Sequence, residues 1–353
     1  MGVGRWHLGI GVRSLAFPIE IGPVFMPRSH IPVPPGRLVE VGTHRLHIQC
    51  VGEGTPSVIF DAALGASSLS WSLVLPEVAP ITCACAYDRA GFGWSEAGPL
   101  PRTAGRLASE LRELLDRAGV PPPYILVGHS FGGLVARLFA ARYRDDTAGL
   151  VLLEPAHPED WAEPSDADRR LIDRGTQLCR HGATAARFGV ARLVAALVAI
   201  GALAPARALV GLISRGGLGR EDEVILTPIW KLPPESRRVL RHVWTEPKFF
   251  EALGSQIESI CTSAAEVRDA TRDGYADLPL VTISSARASA AQLRHQENLA
   301  RLSSRGRHIV ASSSGHWIPL DAPKVVVDVV GEIIQLVRRK NSTGRPSRRP
   351  GPA

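Results

Sequence analysis

At 353 residues the chain is longer than most single cores, but it has a length at which α/β proteins often keep one sheet and carry an insertion. With 45% apolar and 21% charged residues it excludes global disorder and leaves material for a large core. The net charge of +7 sits mostly in the tail, where Arg338, Arg339, Lys340, Arg345, Arg348 and Arg349 face no acid, so the remainder is near +1. No aromatic stacking pattern accompanies these basic residues, and no nucleic-acid partner is expected.

Residues 1–36 read as an extended N-terminal arm. Its apolar stretch is interrupted by Pro18, Glu20 and Pro23. It is too short to span a bilayer and makes a poor signal-peptide core. Membrane association is therefore not predicted, and a cytoplasmic location is expected. After the Pro-rich "HIPVPPG" come "RLVEVG" and "HRLHIQCVG", an antiparallel pair turning at Gly42-Thr43.

The rhythm then changes. "SVIF", "ITCACAY", "YILVG" and "AGLVLLE" are short apolar runs of the kind that buried parallel strands show. "TAGRLASELRELLDRAG" and "FGGLVARLFAARYR" carry apolar residues at helical spacing between them. Strands alternating with helices predict a mostly parallel sheet covered on both faces. The five cysteines lack metal-ligand spacing, and Cys83 and Cys85 share one strand face, so packing is expected of them rather than a disulfide.

The alternation stops between about 155 and 277, which predicts an insertion in the sheet that serves as a lid. Within it "LVAALVAIGALAPA" falls short of a spanning helix and reads as a buried or lid helix. The pattern resumes with "LPLVTISS", a helical "SAAQLRHQENLARLSS", the strand "RHIVASSS" and a closing helix "APKVVVDVVGEIIQLVRRK". The core domain is expected to run from 37 to 340, followed by a basic, disordered tail over 341–353.

"LVGHSFGGLVAR" places Gly128, Ser130 and Gly132 at a turn between a strand and a helix. G-x-S-x-G in that setting is a nucleophile elbow: the turn strains the serine backbone, and small flanking residues avoid collision with neighbouring chain. It also puts the Phe131 N–H at a helix N-terminus, where negative charge is favoured. A serine needs a base to take its proton. Of eleven histidines, His316 in "SSSGHWIPLD" follows the last predicted strand and fits that position. His129 adjoins the serine, but its side chain should point away from it, with a packing role.

Together "YDRAGFGWS", "YILVGHSFGGLVAR", "AGLVLLEPAHPED" and "SSGHWIPLDAP" resemble the α/β-hydrolase fold superfamily, in its lidded single-domain serine hydrolase branch. The resemblance runs from about 37 to 340 and is weak through the lid. It implies an eight-stranded, mostly parallel sheet and a triad in the order serine, acid, histidine. In the family the acid most often follows the strand after the lid, but "VTISSARASAAQ" has none there. The family's other position is the end of the strand after the elbow helix, which holds Glu154; Asp277 and Glu297 are fallbacks. The loop after "SVIF" supplies the second oxyanion donor in the family. Here it reads "DAALGASS", with Ala62 and Ala63 where His and Gly are usual, and Leu64 N–H as the donor. Asp88 and Arg89 are expected to fix their loop by hydrogen bonds rather than touch substrate.

The implied activity is hydrolysis of an ester-type bond in a hydrophobic small molecule, with no metal or organic cofactor. Serine at the elbow disfavours relatives that use a carboxylate nucleophile. Amidase, aminopeptidase, thioesterase or C–C bond hydrolysis on the same triad, and a non-catalytic ligand-binding protein on this scaffold, remain alternatives. Nothing in the sequence addresses the oligomeric state.

Overall fold

The computed structural model describes residues 33–199, 201–214 and 231–343. Most of the expected N-terminal arm and of the basic tail lies outside them. Eight strands, β1 (Arg37–Val41), β2 (His44–Val51), β3 (Ser57–Asp61), β4 (Ala84–Tyr87), β5 (Tyr124–His129), β6 (Thr147–Leu153), β7 (Leu280–Ser285) and β8 (Gly306–Ala311), form one sheet. Their order is β1-β2-β4-β3-β5-β6-β7-β8. The β1–β2 and β2–β4 pairs are antiparallel and every other pair is parallel. The expected hairpin turns at Gly42, whose φ of 57° suits a residue without a Cβ.

Parallel strands β3 to β7 are buried on both faces because each face has its own helical cover, while β8 at the sheet edge is partly exposed. On one side Ile59, Leu126, Leu150 and Leu152 pack against α1 (Ala104–Arg117) and α2 (Phe131–Arg142) through Leu107, Leu111, Leu134 and Leu138. On the other, Val58, Phe60, Val127 and Val151 meet Val326, Val330, Ile333 and Val337 of the closing helix Pro323–Thr343. The three- and four-residue spacing of those valines and isoleucines makes one apolar stripe facing the sheet. Helix α1 begins where the Thr103 side chain accepts a hydrogen bond from Arg106 N, the local signal that stops the preceding loop.

Between β6 and β7, where the alternation breaks, most of the described residues are helical. Helix α3 (Asp166–Arg187) opens with a capping box of Ser165 and Asp168. It is followed by α4 (Val190–Ala199), α5 (Leu203–Ser214), α6 (Pro234–Val243), α7 (Pro247–Glu258) and α8 (Ile260–Ala270). Helices α3 and α7 approach closely at two glycines: a Cβ on Gly182 would lie 2.4 Å from Phe250, and one on Gly254 would lie 3.0 Å from the Cys179 Cβ. The apolar 193–206 stretch is not one helix. It breaks at Gly201, φ 77°, into α4 and α5, and Leu193 is 53% exposed, so this stretch is not a buried core helix. Helix α9 (Ala290–Ala300) then leads to β8, and α10 is the closing helix Pro323–Thr343, which extends into the start of the expected tail.

Cys50 and Cys85 form a disulfide between the directly paired positions of β2 and β4. This corrects the packing role expected of Cys85. Cys83 stays a thiol, its sulfur 3.9 Å from that of Cys85. The missing signal was register: Cys50 and Cys85 lie on strands whose pairing no local pattern reveals.

Candidate active site

Three strand ends converge at the carboxyl edge of the sheet. β5 ends in the predicted elbow, where Ser130 has φ 53° and ψ −116°, a conformation costly for any residue with a Cβ. The surrounding turn has no spare room. A Cβ on Gly128 would lie 2.6 Å from Gly132 O, and one on Gly132 would lie 2.5 Å from Asp61 O. Both family glycines are therefore sterically required. The strained serine is held by its backbone: Ser130 N donates to Leu153 O at 2.9 Å, and Ser130 O accepts from Gly133 N and Ala156 N at 2.9 and 3.0 Å. Phe131 begins α2, so its N–H stands in the first turn, where the helix dipole favours negative charge.

Glu154 directly follows β6. Its φ is 41°, its N donates to Ile283 O at 2.8 Å, and it is 6% exposed. Its Oε1 accepts from Ser285 N at 2.7 Å, and its Oε2 lies 3.7 Å from His316 Nδ1. The backbone N–H at the end of β7, where the family usually carries its acid, thus orients the acid delivered from β6. The gap of 3.7 Å exceeds a hydrogen bond and is an ion-pair distance. His316 lies past β8, in the loop before the short turn of helix Ile318–Asp321. Gly315 N donates to Asp321 Oδ2 at 3.0 Å and braces that loop.

The fallback acids stand elsewhere. Asp277 precedes the amino end of β7, the opposite edge of the sheet, and pairs with Lys340 at 3.1 Å; Glu297 is exposed on α9.

The loop after β3 passes over the turn. Neither Ala62 nor Ala63 takes a positive φ; the left-handed position is Gly65, φ 69°, so alanine at the family's glycine place costs no strain. Arg89 clamps this loop from beneath. Its guanidinium donates to Ala62 O at 2.8 Å and to Ala63 O, stands 3.5 Å from Asp61 Oδ1, and covers the Phe131 ring at 5.2 Å. Burial raises the Asp61 carboxyl above its ordinary range, opposed by the Arg89 charge and by the Tyr87 hydroxyl, which donates to Oδ2 at 2.8 Å. Asp88 anchors its own loop, accepting from Ser68 N at 2.7 Å and Trp94 N at 3.1 Å and meeting His47 Nδ1 at 2.9 Å. Burial alone would raise its carboxyl; the hydrogen bond and charge of His47 hold it below the usual range. Asp88 holds its loop as expected, through Trp94 N, whereas the Arg89 side chain holds the loop after β3 instead of its own.

His129 does more than pack. It is fully buried, and its Nε2 is 2.8 Å from His316 O, with the two rings 5.0 Å apart. Burial, and then the neighbouring His316, push its pKa well below the ordinary value. A neutral ring can still donate from Nε2, so His129 tethers the backbone of His316. Nothing local in "GHS" indicates this, because the acceptor arrives from past β8. Among the described residues no group of three or more His, Cys, Asp or Glu side chains is disposed to hold a metal ion. Among them, too, no helix is long and apolar enough to cross a membrane.

Residues 56–174 match the family model described as alpha/beta hydrolase fold. An uncharacterized protein of Bacillus subtilis, YqjL, is 37% identical over 105 residues, which are 30% of this chain and 42% of that one. Lipase LipV of Mycobacterium tuberculosis is 39% identical over 115 residues, 31% of this chain and 42% of the lipase. The chain therefore spans less than half the length of these curated relatives. The solved enol-lactonase from Burkholderia xenovorans LB400 superposes with a TM-score of 0.57 at 21% identity, covering 85% of this chain and all of the lactonase. Its likeness is one of fold. Sheet order, elbow and the match over residues 56–174 together give the chain the α/β-hydrolase fold.

Proposed function

We propose that the protein is a serine hydrolase that cleaves an ester-type bond through an acyl-enzyme. The reading is carried by one juxtaposition: a serine in a strained elbow at the end of β5, beside a strand end whose buried Glu154 lies 3.7 Å from His316 Nδ1. In the first half-reaction Ser130 Oγ bonds the carbonyl carbon and passes its proton to His316. The alcohol leaves with that proton as the tetrahedral intermediate collapses. Water then attacks the acyl-serine, giving its proton to His316, which returns it to Ser130 as the carboxylic acid departs. Glu154 selects the tautomer of His316 and stabilises the imidazolium, while the Phe131 and Leu64 N–H groups receive the oxyanion. The helices between β6 and β7 act as the lid. Lipase and enol-lactonase, the names of two similar proteins, support an ester or lactone as the substrate. The Cys50–Cys85 disulfide weighs against the cytoplasmic location expected from sequence, since such bonds persist in oxidising surroundings.

Fluorophosphonate labelling of the purified protein beside Ser130→Ala, with the adduct located by mass spectrometry, tests this. An adduct on Ser130, absent from the variant, is expected. A folded protein that stays unlabelled and hydrolyses no ester would remove the proposal.

A further inference from the structure

We infer that a small apolar cavity beside the oxyanion loop receives the acyl side of the substrate and admits only a short aliphatic chain. This rests on the serine hydrolase reading and adds a substrate class to it. One wall is the loop from Leu64 to Ser70; the opposite wall is Leu232, Leu240 and Trp244 from the inserted helices, and Trp317 closes it. Two of these residues adjoin the reacting groups. Leu64 carries the second proposed oxyanion N–H. Trp317 follows His316, with ring centres 6.0 Å apart. An acyl group whose oxygen points to Leu64 N–H therefore has its chain beside this wall.

The cavity's size and polarity select the chain. Its volume is about 10 Å³, room for about one water molecule. Its walls are core residues: Leu232, Leu240 and Trp317 are 2%, 4% and 6% exposed and belong to one apolar cluster with Ala63 and Leu320. They cannot retreat without opening a void elsewhere. The lining holds no charged side chain, and the Ser70 hydroxyl is already donated to Ser67 O at 2.7 Å. A charged acyl group would find only the buried Trp244 Nε1 donor and no countercharge, and be rejected. An acetyl or propionyl methyl fits; a longer chain meets Leu240 and Trp244.

The test is kcat/KM for p-nitrophenyl acetate, butyrate and octanoate with the full chain, Leu240→Ala and Leu240→Phe. The wild type should favour acetate over octanoate by about tenfold or more, the discrimination a methylene-sized misfit provides in an apolar pocket. Leu240→Ala should raise the octanoate-to-acetate ratio about tenfold, and Leu240→Phe should lower the butyrate-to-acetate ratio. Either variant suffices if the other does not fold. A wild type that favours octanoate, or ratios unchanged in folded variants, overturns the acyl assignment while the serine reading stands. Failure to hydrolyse any ester, together with no fluorophosphonate adduct on Ser130, overturns both.

Discussion

Glu154 joins two distant strand ends: its Oε1 accepts from Ser285 N at 2.7 Å while its Oε2 faces His316 Nδ1 at 3.7 Å. The strand β7 end thus aims a carboxylate supplied by β6. Glu154→Gln keeps the acceptor for Ser285 N and removes the charge. Its kcat should fall roughly a thousandfold to ten-thousandfold, with KM little changed. Stopped-flow or steady-state ester hydrolysis measures this; near-normal kcat in the folded variant would take Glu154 out of the triad.

His129 offers a separate handle on His316. His129→Phe keeps an aromatic ring but loses the donor to His316 O, and kcat should fall about tenfold, the value of one hydrogen bond of about 1.4 kcal/mol. His129→Gln, whose amide can reach the same acceptor, should recover part of that loss. A Gln variant no better than Phe would assign His129 to packing alone.

The same residue predicts a pH effect on stability. The folded pKa of His129 lies well below its ordinary value because the ring is buried. Above about pH 6.5 neither state binds the proton, and the group contributes no pH dependence. As pH falls below that, the unfolded chain takes up the proton and the folded protein does not, so stability declines until the folded pKa is reached, by up to about 1.4 kcal/mol per pH unit. Urea unfolding between pH 7 and pH 5 should show a shallower decline in His129→Phe. Equal slopes would mean that other groups carry it.

Arg89 is the keystone of the loop after β3, and its loss also strands Asp61. Arg89→Met leaves the buried Asp61 carboxyl without its cationic partner and should cost about 3 to 5 kcal/mol in urea unfolding. The paired change Arg89→Met with Asp61→Asn should recover stability but not turnover, because the Ala62 and Ala63 carbonyls remain unclamped. Full recovery of activity in the pair would show that the loop holds its shape unaided.

The Cys50–Cys85 bond closes a loop with a sequence separation of 35. Reduction should lower unfolding stability by about 2 to 4 kcal/mol, with Cys83→Ser unaffected in the oxidised state. A midpoint insensitive to dithiothreitol would mean that the bond does not form in solution.

What the chain carries locally could be read before any tertiary contact was known. Short apolar runs mark β3 to β7, because burial on both faces demands apolar side chains at consecutive positions. Gly128, Ser130 and Gly132 mark the elbow, because only small residues fit where a Cβ would meet carbonyls 2.5 to 2.6 Å away. Gly201, by contrast, was legible only as one more small residue in an apolar run, and whether it broke the helix depended on packing that the run does not encode. The remaining decisions required distant segments to meet. Cys85 found Cys50 through the register of β2 on β4, Arg89 reached across to Ala62 and Ala63, and His129 met a carbonyl from past β8. Glu154 became a partner of His316 because parallel strands β6, β7 and β8 bring three chain-distant ends to one sheet edge. Periodicity and turn chemistry act over a few residues and so are written in order along the chain. Contact between strand ends is set by the order and register of the whole sheet, which only the packed core determines.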